Sequence, residues 1–348
     1  MSTKISLAKS REFQRFKDLI ASSKRVLLST HQQPDGDGLG AEASLFHYLK
    51  KAKKQCRVYN PDPLPKRYQF LDAKSEYLHG PDDAEVWDDF DLWVIVDTND
   101  PRRLGKLWGE LSILAKNIVF LDHHPDIMPT SQISYPPHAM LVSDTTSSSI
   151  GELLYHLFTE LDLAEITEAV AQGLYVSVMT DTNSFRYART TPTAHHIAAE
   201  MIERGVNPEE VYQAIYSSKE LSHLKLLGNM LQNVQVEANG KIAWIELTKE
   251  LRKKHQASAD DTLSFLNLLL LLKDAEILCL FREEDNDQVR VSIRSKGRIV
   301  INHVAMELGG GGHEYAAGLA LSATLEKTVE AVINRLKQVL VEREKKSR

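Results

Sequence analysis

Hydrophobic runs of strand length recur through the first third of the chain, with helical periodicity between them. RVLLST at 25–30, QCRVYN at 55–60, DLWVIVD at 91–97 and NIVFLD at 117–122 are rich in strand-forming residues, and helical spacing covers 39–54. The run at 91–97 is apolar between its terminal aspartates, as expected of a strand buried on both faces. Strands that alternate with helices predict an α/β fold with an open, mostly parallel sheet and helices on both sides.

The second half of the chain changes character at two points. From Asp144 onward the spacing is helical, and a charged helical stretch continues to about residue 235. The Asn239–Gly240 pair marks a turn, after which a smaller α/β pattern begins. Its strands are predicted at 241–248, 274–283 and 288–295, and its helices at 299–308 and 325–342. We therefore predict a first domain over 1–215, a helical linker over 216–238 and a second domain over 239–348.

Composition narrows the class of protein and of partner. The 348 residues, 43% hydrophobic and 26% charged, suit two globular domains. A formal net charge of −6 argues against a groove for long nucleic acids, because that binding needs a positive field; a small anionic substrate remains compatible. Two distant cysteines, Cys56 and Cys279, are typical of reduced thiols. No signal peptide or membrane-length apolar run is visible, so we expect a cytoplasmic protein without membrane association.

Acids and histidines gather where predicted strands or helices end. They are His31 with Asp35 and Asp37, then Asp97, then Asp122 with His123 and His124, and finally Asp181. Ligands of open α/β sheets bind at the carboxyl ends of the strands, so the first three groups should meet there. Carboxylates this close repel one another unless cations neutralise them, and mixed oxygen and imidazole ligands suit manganese, magnesium or iron. The pattern predicts a two-metal centre of the kind that serves phosphoryl chemistry.

Each of these signals alone also has an ordinary structural interpretation. The PDGDG segment could be a plain turn, and the strand-end aspartates could cap the loops that follow. Only the set as a whole favours the metal centre. Within it, we interpret Gly36, Gly38 and Gly40 as residues of a sharp turn that lets Asp35 and Asp37 face different metals.

These motifs carry a resemblance to a known family. HxxPDGDGxG at 31–40, the lone Asp97, the triplet at 122–124 and the later Asp181 resemble the DHH phosphoesterase superfamily, named for that triplet. The stretch at 294–318, with four glycines before a histidine, resembles the substrate-binding DHHA1 domain. Together the motifs cover nearly the whole chain in the family's order. Within the superfamily, the length and domain pairing resemble the bacterial oligoribonuclease (nanoRNase) and pAp phosphatase group.

The resemblance implies a ligand set and a catalytic role for several residues. One manganese ion would be held by His31, Asp35 and Asp97, and the other by Asp37, Asp97, His123 and Asp181. Magnesium or iron are the alternative metals. Asp97 would bridge the two ions, and a water activated by both would attack phosphorus in line. His124 would contact the scissile phosphate or assist proton transfer, so the residues predicted to act in catalysis are His124, Asp97 and Asp37.

Recognition of the substrate is expected from both domains. In the second domain, the candidates for holding a phosphate or a base are Arg294, Ser295, the amides of Gly310, Gly311 and Gly312, and His313. The glycine run could instead be a hinge. In the first domain, Arg102 or Arg103 and also Arg186 follow ligand positions, and a guanidinium there would bind phosphate oxygens. The residues alone do not choose between Arg102 and Arg103.

The function implied is a manganese-dependent phosphoesterase that cleaves very short RNA. It would hydrolyse di- to pentanucleotides, including pGpG, to 5′-mononucleotides and pAp to AMP, and the resemblance suggests a homodimer. The rivals among enzymes are a cyclic dinucleotide phosphodiesterase, a RecJ-like single-strand exonuclease and a family-II pyrophosphatase. Membrane-bound members of the first group carry extra N-terminal segments, and RecJ-like enzymes carry further nucleic-acid-binding domains; we expect neither here. The C-terminal domain of the pyrophosphatases lacks the GGGGH run. A nucleotide-sensing binding protein is the rival outside the enzymes, and the intact ligand set argues against it.

Overall fold

The computed structural model describes residues 11–80, 89–124, 135–217, 221–256, 265–266, 268–284 and 287–346. The chain divides into two units, Met1–Ser218 and Lys219–Arg348. Among the described residues, no helix combines the length and the apolar character needed to cross a membrane.

The first unit alternates strands with helices, as the hydrophobic pattern predicts. Its helices are α1 (Arg11–Ser22), α2 (Gly36–Lys51), α3 (Lys106–Leu111), α4 (Ile150–Leu161), α5 (Glu168–Asp181), α6 (Pro192–Glu203) and α7 (Pro208–Tyr216). Its strands are β1 (Arg25–Ser29), β2 (Gln55–Tyr59), β3 (Leu78–His79), β4 (Leu92–Val96), β5 (Ile118–Asp122) and β6 (Ala139–Ser143). Short 3-10 helices cover Lys66–Asp72 and Pro101–Leu104.

The six strands form one parallel sheet in the order β3-β2-β1-β4-β5-β6. The direction of winding reverses between β1 and β4, which is where open α/β sheets place a ligand crevice at the strand ends. Val94 and Val96 of β4 pack into an apolar core with α2, α4 and α5, whereas Trp93 and Ile95 pack with α3 on the other face. The predicted α/β architecture is confirmed, and its central strands are buried on both sides.

The second unit is a smaller α/β domain, also as predicted. Its helices are α8 (Leu221–Gln232), α9 (Lys249–Lys254), α10 (Asn302–Glu307) and α11 (Leu325–Lys346). Its strands are β7 (Gln235–Glu237), β8 (Ile242–Leu247), β9 (Ile277–Glu283), β10 (Val289–Ser295), β11 (Gly311–His313) and β12 (Ala316–Leu321). They form a mixed sheet in the order β11-β12-β10-β9-β8-β7, in which β8 and β9 pair in parallel.

The segment proposed as a linker, 216–238, contains the helix α8 and the edge strand β7. Leu226 and Met230 of α8 are buried in an apolar cluster with Ala243 and Leu278 of β8 and β9. The helix therefore contributes to the core of the second unit.

A buried acid lies beneath the carboxyl end of the first sheet. Glu42 of α2 is fully buried, and the Asn60 side-chain amide donates to its Oε2 at 2.8 Å. The side-chain Oδ1 of Asn60 in turn accepts from the backbone amide of Thr30, the residue before His31, at 2.8 Å. Burial raises the pKa of Glu42 to about 8, so the carboxyl is mainly protonated at neutral pH.

Replacing Glu42 with Gln keeps the shape of the neutral acid but removes its titration. The folded protein holds a proton that the unfolded chain releases above the ordinary value of 4.5. The free energy of unfolding of the wild type should therefore fall between about pH 5 and pH 8, by about 1.4 kcal/mol per unit of pKa difference. The free energy of unfolding of Glu42→Gln should fall less over the same range. Denaturant unfolding at both ends of this range measures the two slopes.

The exposed Glu110 supplies the matched control, since Glu110→Gln should leave the wild-type slope unchanged. Equal slopes for Glu42→Gln and the wild type would contradict the assignment of a neutral acid at position 42.

Candidate metal centre

The segment after β1 carries three predicted ligands into the first turn of α2. Asp35 caps this helix, because its carboxylate accepts from the Asp37 and Gly38 amides at 3.0 and 3.4 Å. His31 lies two residues beyond β1, and its Nδ1 donates to the Gln32 carbonyl at 2.7 Å. This bond to a carbonyl leaves Nε2 as the ligand atom, an arrangement typical of metal-binding histidines.

The glycines of this segment have a role different from the one expected. The predicted sharp turn at Gly36, Gly38 and Gly40 is wrong, because all three lie inside α2 and none has a positive φ. A Cβ on Gly38 would lie 2.2 Å from Thr30 Oγ1, and one on Gly36 would lie 2.4 Å from the side chain of Thr180. The glycines therefore let the helix start pack directly against the end of β1 and against α5.

The helices α2 and α5 cross at a contact between two glycines. A Cβ on Gly40 would lie 2.6 Å from the Gly173 carbonyl oxygen, and one on Gly173 would lie 2.5 Å from the Gly40 oxygen. Neither position admits a side chain unless the helices separate. Since α2 begins beside Asp37 and α5 ends at Asp181, this crossing sets the distance between two predicted ligands.

Asp97 follows β4 and occupies the middle of the site. Its φ of +63° lies in the left-handed region, which aspartate tolerates better than most residues. The carboxylate is 1% exposed, with Oδ2 3.2 Å from His31 Nε2. Its Oδ1 lies 3.7 Å from His123 Nε2 and 3.6 Å from His124 Nδ1. One carboxylate thus faces two different histidine groups.

Asp122, the last residue of β5, orients the two histidines that follow it. Its Oδ1 accepts from the His123 amide at 2.9 Å, the His124 amide at 3.2 Å and His124 Nδ1 at 2.8 Å. His123 Nδ1 donates to the Ser147 carbonyl at 3.3 Å, which leaves its Nε2 as the ligand atom. Asp122 is fully buried and acts on the site through its neighbours.

Asp37 is held by groups that the sequence did not indicate. Its two oxygens each lie 3.0 Å from the amide of Ile150, at the start of α4. The Ser177 hydroxyl donates to Oδ1 and accepts from the Gly151 amide at 2.6 Å. The other oxygen, Oδ2, lies 3.2 Å from His123 Nε2. The carboxylate is therefore fixed on one side and directed towards the histidine on the other.

Asp181 pairs with an arginine at the edge of the site. Its Oδ2 lies 3.5 Å from His123 Nε2 and 2.6 Å from Arg189 Nη1. Arg189 was missed by sequence reasoning, because nothing in its neighbourhood distinguishes it from the nearby Arg186.

The predicted ligands come together in overlapping groups. Ligand atoms within 4.8 Å of one another define three sets: His31 with Asp35 and Asp97; Asp37 with His123 and Asp181; and Asp97 with His123 and His124. All six predicted metal ligands belong to these sets. Asp97 Oδ1 and His123 Nε2 are buried and lack a hydrogen-bond partner among the described residues. Such orphaned atoms, in an oxygen and imidazole donor set, fit a divalent cation.

The charges of the site are strongly coupled. Burial, together with the charge of Asp37, raises the pKa of Asp181 to about 7. Burial also disfavours the charged form of Asp97, yet the neighbouring His123 and His31 outweigh it and hold the pKa of that carboxyl below its ordinary value. For His123, the effect of burial is outweighed by Asp37 and Asp97, which raise the pKa to about 11. Cations that bind here would displace protons from these groups.

The two arginines predicted after Asp97 point to different neighbours. Arg103 Nη1 donates to the Asp97 carbonyl at 3.4 Å, so this guanidinium lies at the candidate metal centre. Arg102 is exposed and pairs with Asp100, with Nη2 2.6 Å from Oδ2. The position of Arg103 suits contact with a phosphate at the centre better, although the role of either arginine stays a prediction.

Three further residues predicted to bind substrate have the following neighbours within their own units. Arg186 is exposed and bonded to Asn183, while Arg294 Nη1 donates to the Ile293 carbonyl at 3.1 Å. Ser295 is buried, and its Oγ accepts from the Ile299 amide at 3.4 Å. These roles also stay predictions.

The glycine run of the second unit ends in the edge strand β11. Gly311 and Gly312 pair with Gly318 and Ala317 of β12, and a Cβ on Gly310 would lie 2.2 Å from the Gly318 oxygen. Gly312 has a φ of +138°, which a larger residue rarely adopts. The side chain of His313 lies outside the described part of the structure.

Both halves of the chain match known domain families. Residues 25–178 match the DHH family, N-terminal domain, and residues 239–342 match the DHHA1 domain. The chain therefore belongs to the DHH phosphoesterase family, in the form that carries a DHHA1 domain. It is accordingly a hydrolase that acts on phosphoester bonds.

Two relatives are both named bifunctional oligoribonuclease and PAP phosphatase NrnA. The protein of Thermus thermophilus is 27% identical over 317 residues, which cover 90% of each chain. That of Bacillus subtilis is 27% identical over 302 residues, 85% of this chain and 89% of the relative. The fold is similar to an exopolyphosphatase-related protein of Bacteroides fragilis, with a TM-score of 0.84 and 24% identity over 98% of both chains.

Removing the Ser177 hydroxyl should weaken metal binding without removing a ligand. Ser177→Ala takes away the hydrogen bond that holds Asp37 Oδ1, and the loss of such a supporting bond typically costs about 10- to 100-fold in metal affinity. Titration of the metal-free protein with Mn²⁺ by calorimetry measures the change.

Ser44→Ala is the matched control. Ser44 is also fully buried, but its hydroxyl donates to the Ala41 carbonyl of its own helix at 2.9 Å. An equal loss of affinity in both variants would show that the effect is general loosening of the helix packing.

Proposed function

We propose that the protein hydrolyses RNA di- to pentanucleotides, including pGpG, to 5′-mononucleotides, and pAp to AMP, with two manganese ions. The observation that supports this most directly is the pair of ligand groups on either side of Asp97, His31 with Asp35 and His123 with its neighbours. The proposal also rests on the similarity to the relatives from Thermus thermophilus and Bacillus subtilis, which are named bifunctional oligoribonuclease and PAP phosphatase NrnA.

The side chains divide the chemistry between them. When bound, two divalent ions supply an activated water and neutralise charge developing on the phosphate. Asp97 directs one oxygen to His31 and the other to His123, and so keeps the two ligand groups adjacent. Asp37, fixed by Ile150 and Ser177, needs little reorganisation to serve as a ligand.

His124 is suited to contact the phosphate. Its Nδ1 donates to Asp122, and in the protonated ring Nε2 would donate to a phosphate oxygen or transfer its proton. Arg103, beside the Asp97 carbonyl, would add a guanidinium for the non-bridging oxygens. The two side chains together would hold the scissile group against the ligand carboxylates.

The net charge of −6 favours short substrates, because tight binding of a long strand usually depends on a positive field that releases counterions from many phosphates. We also propose that the enzyme is a cytoplasmic homodimer. Neither assembly nor location is needed for the arrangement of the ligand groups.

A time course with Mn²⁺ on 5′-labelled RNAs of increasing length should distinguish the proposal from its rivals. Dinucleotides to pentanucleotides and pAp should disappear fast, because the substrate must fit one local site, while longer RNA, cyclic di-AMP and pyrophosphate should persist. Labelled products resolved by electrophoresis or chromatography are the measurement.

Asp97→Asn should abolish turnover, since it removes a charged oxygen shared by both ligand groups. Fast opening of cyclic di-AMP, progressive degradation of long strands or release of phosphate from pyrophosphate would each assign the site to a different reaction. Nucleotide binding with no product at all would identify a sensor.

A further inference from the structure

Two tyrosines and two arginines form an exposed surface in the first unit beside the candidate metal centre. This Tyr–Arg surface consists of Arg67, Arg186, Tyr212 and Tyr216. Tyr212 and Tyr216 are 48% and 38% exposed, so both rings are accessible to a ligand.

Arg67 connects the surface to the Asp35 side of the centre. It precedes Tyr68, a buried residue of the 3-10 helix Lys66–Asp72 whose hydroxyl lies near the Gly36 backbone and Asp35. The Arg67 guanidinium carbon lies 5.0 Å from the centroid of the Tyr68 ring. An exposed cation is therefore one residue away from a side chain that touches the start of α2.

Arg186 connects the surface to the Asp181 side. The backbone after α5 has three consecutive residues with positive φ, Asn183 at +50°, Ser184 at +56° and Phe185 at +63°. Non-glycine residues in this region are strained and cluster at functional sites. Within this turn, Arg186 donates from Nε and Nη2 to Asn183 at 3.0 and 2.9 Å. Its Nη1 has no acceptor within the described residues.

The two tyrosines lie side by side on α7. Tyr212 and Tyr216 are one turn apart on α7, with ring centroids 4.8 Å apart at 46°. The helix α7 packs against the 3-10 helix that carries Arg67, and the Tyr216 hydroxyl lies close to Ser184, Arg67 and Arg186. Rings and guanidinium groups are thus held in one place rather than scattered over the unit.

We propose that the Tyr–Arg surface binds the second nucleoside of a dinucleotide whose phosphodiester lies at the metal centre. A base would stack on the exposed tyrosine rings, which accept any base because every base has a π-face. Arg67 and Arg186 would pair with phosphate oxygens. The inference rests on the proposed function and adds to it a subsite that pAp, with a single nucleoside, does not need.

The test compares a dinucleotide with pAp on Tyr216→Ala and Arg67→Ala. Loss of a stacked base should raise KM for pGpG about tenfold or more, with kcat nearly unchanged and pAp kinetics within about twofold of wild type. Tyr216→Phe, which keeps the ring, should behave like wild type. Leu163→Ala is the control, because Leu163 is also 38% exposed. It lies two residues beyond the C-terminal end of α4, whereas Ile150, which contacts Asp37, lies at the other end of that helix.

A second measurement does not depend on turnover. A dinucleotide carrying 2-aminopurine, mixed with the full chain in EDTA, should lose fluorescence on wild-type protein and on Tyr216→Phe but not on Tyr216→Ala. An equal loss of activity towards pGpG and pAp in Tyr216→Ala would overturn the subsite. So would a Tyr216→Ala variant whose KM for pGpG and probe quenching match those of the wild type. A wild type that quenches the probe yet cleaves no dinucleotide would instead overturn the proposed function alone.

Discussion

The candidate metal centre depends on the close crossing of α2 and α5. Gly40 and Gly173 bring the two backbones into contact, and the carboxylates of Asp37 and Asp181 take their separation from it. Ser177 lies one turn along α5 from Gly173 and bonds Asp37 across the same interface. A methyl group at either glycine would act on ligand geometry several residues away, because packed helices transmit a displacement rather than absorb it.

The cost of this arrangement is a concentration of buried charge. His31, Asp97 and His123 are each less than 5% exposed, and their protonation states balance one another in the absence of cations. Arg189 contributes positive charge at Asp181, on the more open side. A protein selected for stability alone would replace such a cluster with apolar residues, so its retention marks the site as functional.

Much of the fold could be predicted because apolar residues recur with the period of a strand or a helix. The candidate ligands could be predicted because they lie at the ends of those elements. Central strands such as β4 are uniformly apolar, and each ligand follows a strand or ends a helix, where a sequence pattern can locate it. The edge strand β6 was missed because it is only half-buried, and β12 was missed because it is made mostly of alanine, glycine and leucine. Contacts such as Ser177 with Asp37 join residues 140 positions apart, and no local pattern encodes that distance.

The order of the ligands along the chain has a consequence for biosynthesis. The set of His31, Asp35 and Asp97 is complete once the fourth strand has been made, whereas the set of Asp37, His123 and Asp181 awaits the end of α5. Domains fold largely as units while the ribosome extends them from the N-terminus. A nascent chain therefore contains every residue of the first set well before the second set is complete, and an arrested product that stops just before residue 181 lacks Asp181 alone.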